Sequence, residues 1–125
     1  MPKEGRNRGQ VTATGQTALG AGDVAIGAGW GTTATKAITT GANDVAGQVV
    51  VTAAGGTYAQ ATATVTITFK SAYAATPRAV IVSCVNAVAI DTGHVSYAVT
   101  TTSLVLTYKV TPAAGAYTFD YLVIA

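Results

Sequence analysis

From Ala61 to Phe69 the chain alternates without a break. Ala61, Ala63, Val65, Ile67 and Phe69 fall on one side, and Thr62, Thr64, Thr66 and Thr68 on the other. A period of two sends successive side chains to opposite faces of a pleated strand, whereas a helix would scatter them around its circumference. Threonine and the β-branched aliphatics also fit that pleat better than a helix, where their χ1 freedom is lost. A chain holding this stretch contains at least one strand with a buried face and a wetter one.

The rest of the chain falls into two parts. Residues 1–31 hold eight of the 14 glycines, interleaved with Ala, Thr and Gln, and few large side chains. Glycine-rich chain loses the most backbone entropy on ordering and has little apolar surface to offset the loss. The expectation is an extended N-terminal arm over 1–31 that becomes ordered on a partner. Within it Val11, Leu19, Val24, Ile26 and Trp30 are spaced like anchors along a strap. Trp30, between Gly29 and Gly31, can fold back onto the domain or reach into a neighbour.

Residues 32–125 read as strands and turns. Thr33–Thr40 and Gln48–Ala53 are strand candidates, separated by Gly41-Ala-Asn-Asp44. Asn and Asp bond their own backbone in such a turn, and glycine accepts positive φ. Gly55-Gly56 breaks the next run before 61–69. Pro77 closes a connection from Ser71, since proline cannot donate to a ladder. Ala79–Val85 is a continuous apolar run, expected to be buried on both faces or to lie at a subunit contact. Asn86–Gly93 reads as a loop, and Val95–Thr100 with Leu104–Val110 as a hairpin across 101–103. Ala116–Ala125 closes the chain with Tyr117, Phe119, Tyr121 and Val123 on one face. Six or seven strands with regular turns predict an all-β fold, an antiparallel β-sandwich of jelly-roll-like kind behind the arm.

Composition enters where surface matters. Charged residues make up 10% of the 125, against roughly 25% in typical domains. Such a deficit points to a surface shared with neighbouring subunits, the alternative being a Thr- and Gly-rich surface solvated through hydroxyls and backbone. The net charge of +2 resides in the first eight residues, where Lys3, Arg6 and Arg8 outweigh Glu4. That basic segment is too short and too poor in aromatic residues to indicate a nucleic-acid partner. No run approaches the ~18 apolar residues of a membrane span, and the first ten residues lack the apolar core of a signal peptide. One cysteine, Cys84, makes an intrachain disulfide impossible.

Catalytic chemistry finds little footing. Asp91-Thr-Gly-His94 puts the only histidine beside a carboxylate, but a triad is a matter of geometry that spacing alone does not supply. One His, one Cys and four scattered Asp do not assemble a metal site. Gly20-Ala-Gly22 lacks the strand and helix of a dinucleotide loop. Cys84 reads as a small core hydrophobe. Tyr58, Tyr73, Tyr97, Tyr108, Tyr117 and Tyr121 could line a glycan site, yet their place in or beside strands favours core or interface packing. The expectation is a non-enzyme without cofactor or metal.

A family resemblance rests on four segments. Gly41-Ala-Asn-Asp-Val-Ala-Gly47 leads into Gln-Val-Val-Val-Thr. Ala63–Phe69 follows, then Ala72-Tyr-Ala-Ala-Thr-Pro-Arg78 running into Ala79-Val-Ile-Val. The close is the Tyr-x-Phe-x-Tyr-x-Val-Ile pattern of Tyr117–Ile124. Over 38–125 the chain resembles a compact β-module of tailed-phage virion proteins, found on capsid surfaces and at tail-fibre tips. The resemblance implies a homotrimer packed about a threefold axis, with Tyr117, Phe119 and Tyr121 as the guessed interface. It implies a capsid decoration (cement) protein, made in the host cytoplasm and carried on the outer capsid surface. Its arm (Lys3, Arg6, Arg8, Val11, Leu19, Val24, Ile26, Trp30) would then cross to the major capsid protein. The alternative is a receptor-binding tip of a tail fibre that recognises host glycan. A short chain from Met1, without shaft, heptads or collagen-like repeat, favours decoration.

Overall fold

The computed structural model describes residues 17–84 and 95–125. Eight strands form in chain order: β1 (Val24–Ile26), β2 (Thr35–Ile38), β3 (Ala46–Ala53), β4 (Thr64–Thr68), β5 (Ala79–Cys84), β6 (Val95–Val99), β7 (Ser103–Tyr108) and β8 (Gly115–Ile124). They make two four-stranded sheets, ordered β1-β4-β7-β6 and β2-β3-β8-β5, with every pairing antiparallel. One hydrophobic cluster draws on both sheets, the arrangement of a β-sandwich.

The alternating stretch behaves as its period requires from residue 63 onward. Ala63, Val65, Ile67 and Phe69 are buried, while Thr64, Thr66 and Thr68 stand on the outer face. Ala61 departs from the expectation. It lies exposed in a 3-10 turn, Gln60–Thr62, so β4 is shorter than its sequence pattern. The turn faces Gly29, where a Cβ would stand 2.0 Å from the carbonyl oxygen of Ala59. Chain approach at that point has replaced strand pairing.

The largest correction concerns the N-terminal part. Residues 17–31 pack into the sandwich, and the described residues form eight strands where six or seven are expected. β1 pairs with β4 through Val24↔Ile67 and Ile26↔Val65. Trp30 sits at the centre of the core with no exposed surface. Its indole Nε1 donates to the Thr64 carbonyl at 2.9 Å, and its ring stacks on Tyr108 at 5.8 Å. A 3-10 turn, Ala28–Trp30, delivers the ring. Gly31 then leaves it with φ 111°, at a spot where a Cβ would meet the Ala54 oxygen at 2.0 Å. The flanking glycines are thus the conditions for burying the ring, because any side chain there collides with backbone.

Of the two expectations for the 79–85 run, burial on both faces is corrected for β5: among the described residues it forms the edge of its sheet, and Val80 faces the core while Ile81 is 57% exposed.

Candidate functional site

Of the residues expected to bind a partner, Lys3, Arg6, Arg8 and Val11 lie outside the described residues, as do Asp91 and His94. Leu19, Val24 and Trp30 are core residues, and Ile26 packs against the core. Leu19 is further tied by its amide, which donates to the Ala42 carbonyl at 2.8 Å. As anchors for another molecule Leu19, Val24 and Trp30 are corrected, since their side chains are already buried within the chain; Ile26 is half-buried and keeps part of its surface open. The guessed interface of Tyr117, Phe119 and Tyr121 is corrected for the same reason. These side chains are at most 3% exposed and point between the sheets. Tyr117 and Phe119 pack around Trp30 at 5.1 and 6.0 Å between ring centroids. Period two separated the two faces of β8 correctly, but it does not say which face meets the other sheet.

The turn at Asn43-Asp44 proves more than a local bend. Asn43 Oδ1 accepts from the amides of Val45 and Ala46 at 2.9 and 3.1 Å, the self-bonding that an Asx turn requires. Asp44 instead reaches across the chain. Its carboxylate accepts from the Lys70 and Ser71 amides at 2.7 and 3.0 Å. Tyr73 donates to the Asp44 carbonyl oxygen at 2.5 Å, and Tyr121 to that of Asn43 at 2.6 Å. Burial holds the Tyr121 phenol well above its usual range, and burial followed by the nearby Asp44 raises that of Tyr73. Both therefore stay protonated as donors. This node is a structural latch joining the 42–46 turn, the 69–73 connection and β8. Each of these polar groups has a hydrogen-bond partner within the node.

Two shallow grooves flank β2. One, of about 520 Å³, is lined by Ile26, Ala28, Thr32, Ala34, Thr57 and neighbouring small residues, with no charged or aromatic side chain. The other, about 320 Å³, runs along Thr39–Ala42 and Ala46–Gln48 to Asp120. Asp120 is engaged by Gln48 Nε2 at 2.8 Å. Neither groove offers the stacking ring a glycan site uses. Among the described residues no three His, Cys, Asp or Glu gather to hold a metal ion, and no helix is long and apolar enough to cross a membrane.

The unsatisfied feature is an outer surface. Among the described residues the three exposed large hydrophobics lie toward the β5/β6 side of the sandwich: Ile81 on β5, Ile124 on β8 beside it, and Tyr97 on β6. β5 and β6 are the sheet edges that approach each other there. On the outer face Ile81 is paired with Leu122, and Ala79 with Ile124, so the edge row is apolar. Burial pushes the Cys84 thiol up to about 11, leaving it an unreactive neighbour at neutral pH. The sequence marks 79–85 as apolar but not as an edge, because the sheet order that places β5 there among the described residues is tertiary. No protein-family model, curated protein or solved structure matches this chain.

Proposed function

We propose that the chain is a structural protein of a tailed-phage virion, a capsid decoration protein that stabilises joints between major capsid subunits. The observation that carries an assembly role is the exterior of the sandwich. Among the described strands the outer sheet faces carry one charge, Asp120, and a long uncharged edge with Ile81, Tyr97 and Ile124 beside it. Such a surface is costly to leave in water and is completed by protein neighbours. The virion assignment rests on the resemblance over 38–125, and with it come the jelly-roll-like topology and the threefold assembly.

The work in this reading is mechanical. Each copy adds contact area across a capsid joint, so opening the joint must break those contacts too. Leu19 and β1 are used inside the fold, so in this reading the contact with the shell falls to residues 1–16. Lys3, Arg6 and Arg8 supply its attraction to the shell.

The test is binding of purified protein to tailless empty heads. Full-length chain is expected to bind and the form lacking residues 1–16 to fold but lose binding. Binding to host cells or cell-wall glycan, with none to heads, would replace decoration by the tail-fibre tip. Undiminished head binding by the truncated form would remove the arm from the mechanism.

A further inference from the structure

The hydrogen-bonding pattern of β8 determines which backbone groups of β5 face outward. Val123 donates to the Val45 carbonyl, so the odd-numbered residues of β8 spend their backbone groups on β3. The even-numbered ones then serve β5, which is consistent with the Ile124 carbonyl accepting from Arg78. By register, Ala79, Ile81 and Ser83 turn their amides and carbonyls to Ile124, Leu122 and Asp120. Those of Val80 and Val82 are left at the outer edge, and no strand among the described residues pairs with them. This edge is six residues of Ala-Val-Ile-Val-Ser-Cys, without charge or proline, and it lacks the devices that usually blunt an edge strand.

We infer that β5 is a seam between two copies of this chain, paired antiparallel about a twofold axis at Ile81. Three observations select a second copy as the occupant. With Ile81 opposite Ile81 of the second copy, Val80 meets Val82 across the seam twice, in the hydrogen-bonded positions where both strands present open groups. The same register puts every outer-face side chain on one side of the joined sheet, so the apolar rows Ile81–Leu122 and Ala79–Ile124 become continuous. Charge also fits. Arg78 precedes one end of β5, and Asp120, opposite Ser83, lies at the other. Antiparallel pairing brings the Arg78 of each copy to the end that holds the Asp120 of the other, whereas parallel pairing of the same strands would set like charges side by side. The contact is additional to any threefold assembly and stands without the virion reading.

Cysteine crosslinking in a Cys84→Ser background tests the register. Directly opposed residues in the non-hydrogen-bonded positions approach to about 4.5 Å between Cβ atoms, within reach of a disulfide. Ile81→Cys is therefore expected to give a covalent dimer under mild oxidation. Ser83→Cys alone should give at least tenfold less, and a mixture of Ala79→Cys with Ser83→Cys should give the crosslink that neither forms alone. Both Ile81 and Ser83 are exposed, so the variants retain their fold. Equal crosslinking at 81 and 83, or none at 81, overturns the seam and leaves the edge to residues 85–94 or to another protein. No heads are present in this assay, so its outcome is independent of head binding.

Discussion

The two long sides of the sandwich are finished differently. On the β1/β2 side the edge strands are three and four residues long. Lys36 of β2 donates its ammonium to the Val24 carbonyl of β1 and so closes the gap between the sheets. Two 3-10 turns and the glycines around Trp30 cover what remains. The 17–23 segment is fastened there as well. Asp23 accepts from the Gly20 amide and pairs with Lys70 at 3.1 Å; the amide first, then the ammonium, holds its carboxyl below the usual range. On the β5/β6 side the edges are six and five residues long, uncharged, and accompanied by every large exposed hydrophobic among the described residues. One side is sealed from within; the other keeps its edges open among the described residues. Under the proposed seam, stability and self-association would fall on opposite sides of the sandwich.

Substitutions sharpen or break that division. The largest effect belongs to the sealed side: Trp30→Ala should cost about 3–5 kcal/mol, the range for removing a large buried aromatic. Urea denaturation checks it, and a loss below about 1 kcal/mol would mean that the ring is not the keystone of this core. Next comes Lys36→Met, which keeps the aliphatic stem but abandons the Val24 carbonyl, at about 1 kcal/mol. On the open side Ile81→Ser should change the stability of the dilute monomer by no more than about 0.5 kcal/mol. If Ile81→Ser proved the more damaging of these two, the sealed and open sides would have to be exchanged.

The smallest effect is alkaline. The Cys84 thiol, ordinarily near 9.0, sits at about 11 in the fold because burial disfavours the thiolate. Its contribution is complete below the unfolded value and is lost as pH rises from about 9 through about 11. Melting temperature followed across that window should fall less steeply in Cys84→Ser. Identical slopes would show that the raised tyrosines, Tyr73 and Tyr121, carry the whole effect.

The legible parts of this chain were those governed by neighbours in sequence. The alternation in β4, the Asn43-Asp44 turn, the 95–108 hairpin and the two faces of β8 all appear where local rules place them. The 17–31 segment was illegible because its order comes from far away: β1 has three residues, and its partners Val65 to Ile67 lie some forty positions on. Glycine content argued for mobility there, yet at Gly29 and Gly31 glycine is what allows backbone to close over the core. Asp44 was similarly hidden, since its acceptors' partners, Lys70 and Ser71, belong to another connection.

By itself, then, the order of residues determined that the chain makes sheets, which residues share a face and where it turns, because pleat and turn chemistry act over two to four residues. Which face became core, which strand became an edge and whether Trp30 pointed inward were decided only by tertiary pairing. Those choices depend on what lies opposite, and nothing opposite is close by in the chain.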